Sequence, residues 1–320
     1  MSALEGTVLA RYDGLLLDLD GVVYEDERPV AGAVAAIEAV RAAGVPVRFV
    51  TNNASRTPEQ VAERLRRIGV PAVATEVLGS AQAAARLLAG RPDVPAGGTV
   101  GVVGGDGLLV ALRGAGFDPV PVTALERAPD AVVQGFSPTL TWADLAAGTR
   151  WVREGVPWVA SNLDTTYPSA TGIAPGNGLM VHAVAVAAGR RPDAVAGKPQ
   201  PHLFRSAAED AASSRPLVVG DRLDTDVAGA VAAGQAGALV LTGVHGLEDA
   251  VRAADAQRPG LVLVDLGELV DPAATERVDA RSAVLVEAGD AATADDADPG
   301  TDAAEARVRD ALQRLEELVR

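Results

Sequence analysis

Tyr12-Asp13-Gly14-Leu15-Leu16-Leu17-Asp18-Leu19-Asp20-Gly21 (YDGLLLDLDG) decides the fold. Three leucines in a row, with no polar alternation, mark a strand buried on both faces, as in a parallel sheet. The acidic residues and glycine that follow read as the polar turn at its carboxyl end. Helical spacing over Ala31–Ala43, stopped by Gly44, leads to a second apolar strand, Val45–Val50, which runs into Thr51-Asn52-Asn53. Pro58 then opens a helix over Pro58–Ile68. The order strand, helix, strand, helix predicts an α/β fold with a doubly wound parallel sheet, whose ligands gather at the carboxyl ends of the strands. Asp18, Asp20 and Thr51 all fall there.

Beyond Pro71 a second alternating set appears, with strands at Thr99–Val103, Ala131–Gln134 and Pro157–Ala160 and helices at Ala81–Ala89, Leu108–Arg113 and Trp142–Arg153. It has the size of a domain of its own. The first pattern resumes at Ala194–Lys198, Leu217–Asp221, Ala238–Leu241 and Leu261–Val264, with a helix over Asp226–Ala233. Residues 271–320 differ, carrying 13 acidic against 6 basic residues, or −7 of the net −15. There Asp290–Asp302 reads as disordered, and Ala303–Arg320, with Val308, Leu312, Leu315 and Val319 on one face, as an amphipathic helix that docks on the rest of the protein. The segment as a whole is expected to be a solubilising appendage.

The 320 residues, 48% hydrophobic and 3% aromatic, imply about two globular domains with a core of Ala, Val and Leu. The absence of cysteine excludes disulfides, thiolate nucleophiles and iron–sulfur sites. The net charge of −15, with no basic stripe, argues against nucleic acid. There is no apolar run of membrane-spanning length, and residues 1–11 lack the order of a signal peptide, so a cytoplasmic protein is expected.

Asp18 and Asp20, two residues apart at a strand end, can point into one site, one as nucleophile or metal ligand and the other as proton donor and acceptor. Thr51-Asn52-Asn53 offers a hydroxyl, amides and backbone N–H groups that suit a phosphate. Lys198 is the one lysine among 28 basic residues, which points to a compact ammonium charge needed where a forked guanidinium would not fit. Gly220-Asp221-Arg222-Leu223-Asp224-Thr225-Asp226 closes another apolar strand with three carboxylates, hard oxygen ligands suited to Mg²⁺. The loop Gly101–Gly107 (GVVGGDG) lacks the spacing of a phosphate loop and reads as a tight turn. His182, His202 and His245 are scattered without ligand or triad spacing.

In this order D-x-D-G, T-N-N, G-K-P and G-D-x-x-x-T-D resemble the haloacid dehalogenase superfamily of aspartate-nucleophile phosphatases. The likeness is closest to its subfamily IIA, the nitrophenylphosphatase-like and ribonucleotide-monophosphatase-like branch. It covers roughly Gly14–Leu269 and implies a catalytic core at 1–78 and 185–270, an inserted α/β cap at 79–184, and a tail at 271–320 without counterpart. Ser161-Asn162-Leu163-Asp164 and Pro175-Gly176-Asn177-Gly178 resemble the segment returning from cap to core. The resemblance implies Asp18 as nucleophile and Mg²⁺ ligand, and Asp20 as general acid/base with its backbone carbonyl on the metal. Asp221 would complete the metal site, with Asp226 orienting water or Lys198 behind it. Thr51 and Asn52, helped by Asn53, would hold the phosphoryl group, and Lys198 would neutralise charge shared by Asp18 and phosphate.

The implied reaction is Mg²⁺-dependent hydrolysis of a small phosphorylated metabolite through an aspartyl-phosphate. The substrate is left open among nucleoside monophosphates, phosphoglycolate, glycerol phosphate, sugar phosphates and pyridoxal phosphate. A homo-oligomer formed through the cap is a further implication. Two other readings compete: a receiver-like signalling module that accepts a phosphoryl group on aspartate, and a non-catalytic sugar-phosphate binding protein. The second Asp of D-x-D and the length of the chain favour the enzyme.

Overall fold

The computed structural model describes residues 4–169, 172–294 and 302–320. Contacts divide the chain into two compact units, Met1–Val50 with Leu65–Pro71 and Ala207–Arg320, and Thr51–Arg64 with Ala72–Ser206. The first is built on a parallel sheet whose strands lie in the order Leu261–Leu263, Ala236–Val240, Pro216–Gly220, Gly14–Leu17 and Val47–Thr51. Every residue of Gly14–Leu17 and of Pro216–Gly220 is buried, which is why both stretches carry unbroken apolar side chains. Asp13 fixes the start of this pair, its carboxylate accepting from the Ser214 hydroxyl at 2.7 Å and from the backbone N–H of Arg215 at 2.7 Å. These bonds, with that of the Ser213 hydroxyl, hold the Asp13 carboxyl far below the usual carboxylate range.

The chain leaves Gly14–Leu17 toward Val47–Thr51 on one side and comes back at Pro216–Gly220 on the other. The crevice between the carboxyl ends of these strands is therefore the switch point of the doubly wound fold.

The second unit has its own parallel sheet, in the order Ala194–Val195, Trp158–Ala160, Ala131–Gln134, Thr99–Val103 and Asp118–Pro121. Its core gathers Val103, Val132, Trp151, Val152, Trp158, Val181 and Val184. Residues 51–64, 72–78 and 185–206, expected with the catalytic core, group by contacts with the second unit, where Asn52 bonds to Ser80, Asn162, Asp164 and Lys198.

The expectation of a solubilising tail is corrected. Thr275–Ala294 and Asp302–Val319 are helices, and Val284, Leu285, Ala311 and Leu315 are buried with Leu239, Val251 and Val262 in one cluster of the first unit. Within the stretch expected to be disordered, residues 290–294 complete a helix, and 295–301 lie outside the described residues. Arg281, wholly buried, ties the segment to the sheet. Its guanidinium donates to Val262 O at 3.0 Å, to Leu318 O at 2.9 Å and to the Glu268 carboxylate. The docking expected of the helix over 303–320 is present, and acidic composition concealed only that of Thr275–Ala294, since apolar residues on one face are enough to bury a helix whose other face is charged.

Removing one partner of a buried, hydrogen-bonded ion pair strands the other, at a cost of about 3–5 kcal/mol. Arg281→Leu is therefore expected to lower unfolding stability by about that amount in urea denaturation. Adding Glu268→Leu is expected to restore much of the loss, and a single variant as stable as wild type would contradict the structural role of the pair.

Candidate active site

The carboxylate group of the first unit follows from strand register. Leu17 lies beside Val219, and Asp18 N donates to Val219 O at 2.9 Å, so Asp18 leaves its strand next to Gly220 and Asp221. Carboxylate oxygens of Asp18, Asp221 and Asp226 all lie within 4.8 Å of one another. The three residues are at most 9% exposed.

Glycine makes this crowding possible. A Cβ on Gly220 would stand 2.1 Å from the Cβ of Asp226, and one on Gly243 would stand 2.1 Å from Asp221 Oδ2. Gly21, at φ +77°, would place a Cβ 2.5 Å from the same oxygen and also needs the left-handed backbone that glycine tolerates. Asp221 Oδ2 accepts from Val244 N at 2.9 Å, and Asp226 Oδ2 from Arg222 N at 3.2 Å.

The third carboxylate of that motif points elsewhere. Asp224 is held by Arg222 in a two-point pair at 3.0 and 2.7 Å. Burial pushes its carboxyl up, but the guanidinium bond and charge keep it below the ordinary value. Asp20 is exposed, and its side chain is outside the three-carboxylate group. It begins a tight turn in which Leu19 O accepts from Val23 N at 2.9 Å and Gly21 N donates to Tyr24 O at 2.8 Å. Asp226, expected behind the metal ligands, has a carboxylate oxygen within 4.8 Å of those of Asp18 and Asp221.

Thr51, Asn52, Asn53 and Lys198 belong to the second unit. Thr51 is buried, and its Oγ1 accepts from Asn53 N at 3.1 Å. Asn53 Oδ1 accepts from Ser55 N at 2.9 Å and from Arg56 N at 3.1 Å, shaping the turn. Asn52 is a clamp: its Oδ1 accepts from Lys198 N at 2.8 Å, while its amide donates to Lys198 O at 3.1 Å and to both Asp164 oxygens at 3.0 and 3.1 Å. Its backbone O accepts from Ser80 Oγ at 2.6 Å and Asn162 Nδ2 at 2.7 Å.

In this geometry the Asn52 amide bonds to Lys198 and Asp164, and Asn53 Oδ1 bonds within its own turn. Gly197 allows the clamp to close, since a Cβ there would lie 2.5 Å from Asn52 Oδ1. Lys198 is 4% exposed, with its ammonium 6.0 Å from the centre of the Phe204 ring.

Asp164 as partner of Asn52 was missed by the sequence, where only its likeness to a return segment was visible. The glycine loop Gly101–Gly107 proves to be a packing device. Gly107 N donates to Ser55 O at 3.3 Å, and a Cβ on Gly107 would stand 2.4 Å from Ala54 O, so the loop accommodates the T-N-N turn.

Family models describing haloacid dehalogenase-like hydrolases match residues 15–118 and 195–269. A D-glycerol 3-phosphate phosphatase of Mycobacterium tuberculosis is 44% identical over 263 residues, 82% of this chain and 72% of the relative. An acid sugar phosphatase of Staphylococcus aureus is 35% identical over 243 residues, 75% of this chain and 91% of its own. Among solved structures, the glycerol phosphate phosphatase of Mycobacterium tuberculosis in complex with magnesium superposes with a TM-score of 0.84 at 38% identity, covering 97% of this chain and 98% of that one. The matched part of this chain thus extends into residues 271–320, which the sequence left without a counterpart. Relatives that are phosphatases over most of their length set aside the receiver and binding-protein readings. The four motifs, the switch-point carboxylates and these relatives together place the chain in the haloacid dehalogenase-like hydrolase family, as a phosphatase of its IIA branch.

Proposed function

We propose that this phosphatase is Mg²⁺-dependent, acts on a small polyol phosphate, glycerol phosphate first among them, and works through an aspartyl-phosphate on Asp18. The observation that carries the reading is the convergence of Asp18, Asp221 and Asp226 within 4.8 Å at the switch point, two residues before Asp20. Three nearly buried carboxylates at this separation repel one another, and their hard oxygens fit Mg²⁺. Asp18, Asp221 and Asp226, with the carbonyl of Asp20, would hold the ion. When bound, it supplies positive charge against the phosphate and the nucleophile.

An Asp18 oxygen attacks phosphorus and the bond to the leaving alcohol breaks, with Asp20 giving its proton to the departing oxygen. Asp20, exposed to solvent, then takes a proton from an incoming water, which attacks the same phosphorus and releases Asp18 and inorganic phosphate. Thr51 Oγ1 and the backbone N–H groups of its turn bind the phosphoryl oxygens. Lys198, its backbone clamped by Asn52, offsets their charge. The glycerol phosphate assignment is supported by the 44% identity to the mycobacterial D-glycerol 3-phosphate phosphatase.

The contact between copies implied by the family resemblance is supported by one apolar face of the second unit. Helix Asn177–Ala188 has no charged residue except His182 when protonated, yet buries only Asn177, Val181 and Val184 and leaves Val186 69% exposed. Trp142, 83% exposed, stands beside a hollow of about 320 Å³ lined by Leu145, Ala146, Ala183 and Ala187. A projecting ring and a hollow on one patch are self-complementary under twofold symmetry. Trp142→Asp with Val186→Asp is expected to convert a dimer into a folded monomer in light scattering, and a monomeric wild type would exclude this contact.

Asp18→Asn should lower kcat on glycerol 3-phosphate by more than a hundredfold while leaving the melting temperature intact or raised, since it removes one of three repelling charges. Removal of Mg²⁺ by EDTA should abolish turnover, and Ca²⁺, with its larger and looser shell, should inhibit. Residual Asp18→Asn activity above a hundredth of wild type would refute the nucleophile. Lys198→Arg should reduce kcat/KM at least tenfold with little change in melting temperature, because a wider guanidinium displaces either Asp18 or phosphate and misplacement by about an ångström costs on the order of a hundredfold. Wild-type kinetics in that variant would show that Lys198 is not at the reacting group.

A further inference from the structure

We infer that His245 is a positioning residue for the metal site: its imidazole closes the loop joining Asp221 to Asp226 and so sets the separation of these two carboxylates. The inference rests on the proposed Mg²⁺ site and adds a residue to it that neither motif spacing nor ligand chemistry singled out.

The segment Thr242-Gly243-Val244-His245 follows the strand Ala236–Val240 and wraps both halves of the carboxylate group. Thr242 Oγ1 donates to Gly21 O at 2.7 Å, Val244 N donates to Asp221 Oδ2 at 2.9 Å, and His245 N donates to Asp221 O at 3.1 Å. The segment therefore holds the side chain and backbone of Asp221 together with the turn after Asp20. The imidazole adds a bond of a different kind, Nδ1 accepting from Leu223 N at 2.8 Å. An accepting Nδ1 places the ring proton on Nε2.

Leu223 begins a single π-helical turn, Leu223–Val227, that carries Asp226. Wide turns of this kind recur at functional sites, where they re-aim a side chain. At the mouth of this one, the N–H of Arg222 goes to Asp226 Oδ2 and the N–H of Leu223 goes to His245 Nδ1. The first bond is internal to the loop, and the second anchors it to a different strand end. Leu223 is 4% exposed, so without the imidazole its N–H would be a buried donor lacking an acceptor. The loop relieves that state by shifting, and Asp226, three residues on, moves with it. Groups behind a metal site that orient its ligands commonly change affinity by 10–100-fold when lost.

The test compares His245→Leu, which removes the acceptor, with His245→Asn, whose Oδ1 can occupy the place of Nδ1. Calorimetric titration of Mg²⁺ into the metal-free full-length protein is expected to give a Kd at least tenfold weaker for the Leu variant and within about threefold of wild type for the Asn variant. In the absence of metal, hydrogen exchange across residues 222–227 should accelerate in the Leu variant and stay near wild type in the Asn variant. Should the Leu variant fail to fold, His245→Ala removes the same acceptor and replaces it in both measurements. Leu or Ala variants with wild-type Mg²⁺ affinity overturn the inference, as does an Asn variant that loses as much as the Leu variant, which would make the ring a packing element only. A wild-type protein that binds no Mg²⁺ would overturn the metal reading itself, and unchanged exchange in the Leu variant would then overturn the clamp separately.

Discussion

Mutual repulsion among Asp18, Asp221 and Asp226 is the constraint on which the rest of the first unit depends. Two unit charges about 4 Å apart repel by about 4 kcal/mol at the effective dielectric of a protein surface, and here three carboxylates lie within 4.8 Å of one another. No flexible loop would hold them so. Two adjacent, fully buried strands do, because the parallel register leaves Asp18 and Asp221 no alternative to emerging side by side. The glycines at 21, 220 and 243 then let carboxylates stand where a Cβ would otherwise be. A site of this kind is stabilised by a cation in proportion to its own strain, so affinity for metal and the stability of the turn after Asp221 are two readings of one arrangement.

The parts legible in the sequence were those in which one residue type has a single physical use. Leu15-Leu16-Leu17 could only be a strand covered on both faces, and the strands at Thr99–Val103 and Ala131–Gln134 and the helix Trp142–Arg153 stand where periodicity put them. Carboxylates at strand ends were equally readable. Side chains with several uses were not. Asn52 and Asn53 carry amides that can bind a phosphate or a backbone, and only the fold shows them committed to Lys198, Asp164 and the turn at Ser55 and Arg56. His245 sat in no recognisable spacing, because its partner is the N–H of Leu223, and a backbone donor leaves no trace in residue identity.

The same ambiguity hid the helix Thr275–Ala294, while the helix over 303–320 was legible from its apolar face. Charge counting treats every residue of a helix alike, whereas burial depends on one face. Leu285, Ala311 and Leu315 are enough to dock the pair, and the surrounding acids are left to solvent or to arginines such as Arg252, which reaches Glu305 at 3.0 Å. Exposed pairs of that sort contribute at most about 1 kcal/mol each. The docking therefore rests on the apolar cluster and on Arg281.

Arg281 and Lys198 show why a chain that uses arginine almost throughout keeps one lysine. Both are buried cations, at 0% and 4% exposure. The guanidinium of Arg281 spreads its charge over Val262 O, Leu318 O and Glu268, three acceptors fixed in different directions that a planar fork can satisfy at once. Such a group is well suited to a structure that never changes. A phosphoryl group that arrives, is transferred and departs calls for the opposite: a compact charge whose position is set from behind. Asn52 grips the backbone N–H and C=O of Lys198, so the stem of the lysine proposed to face the phosphate starts from a fixed point, whereas Arg281 is fixed through its guanidinium.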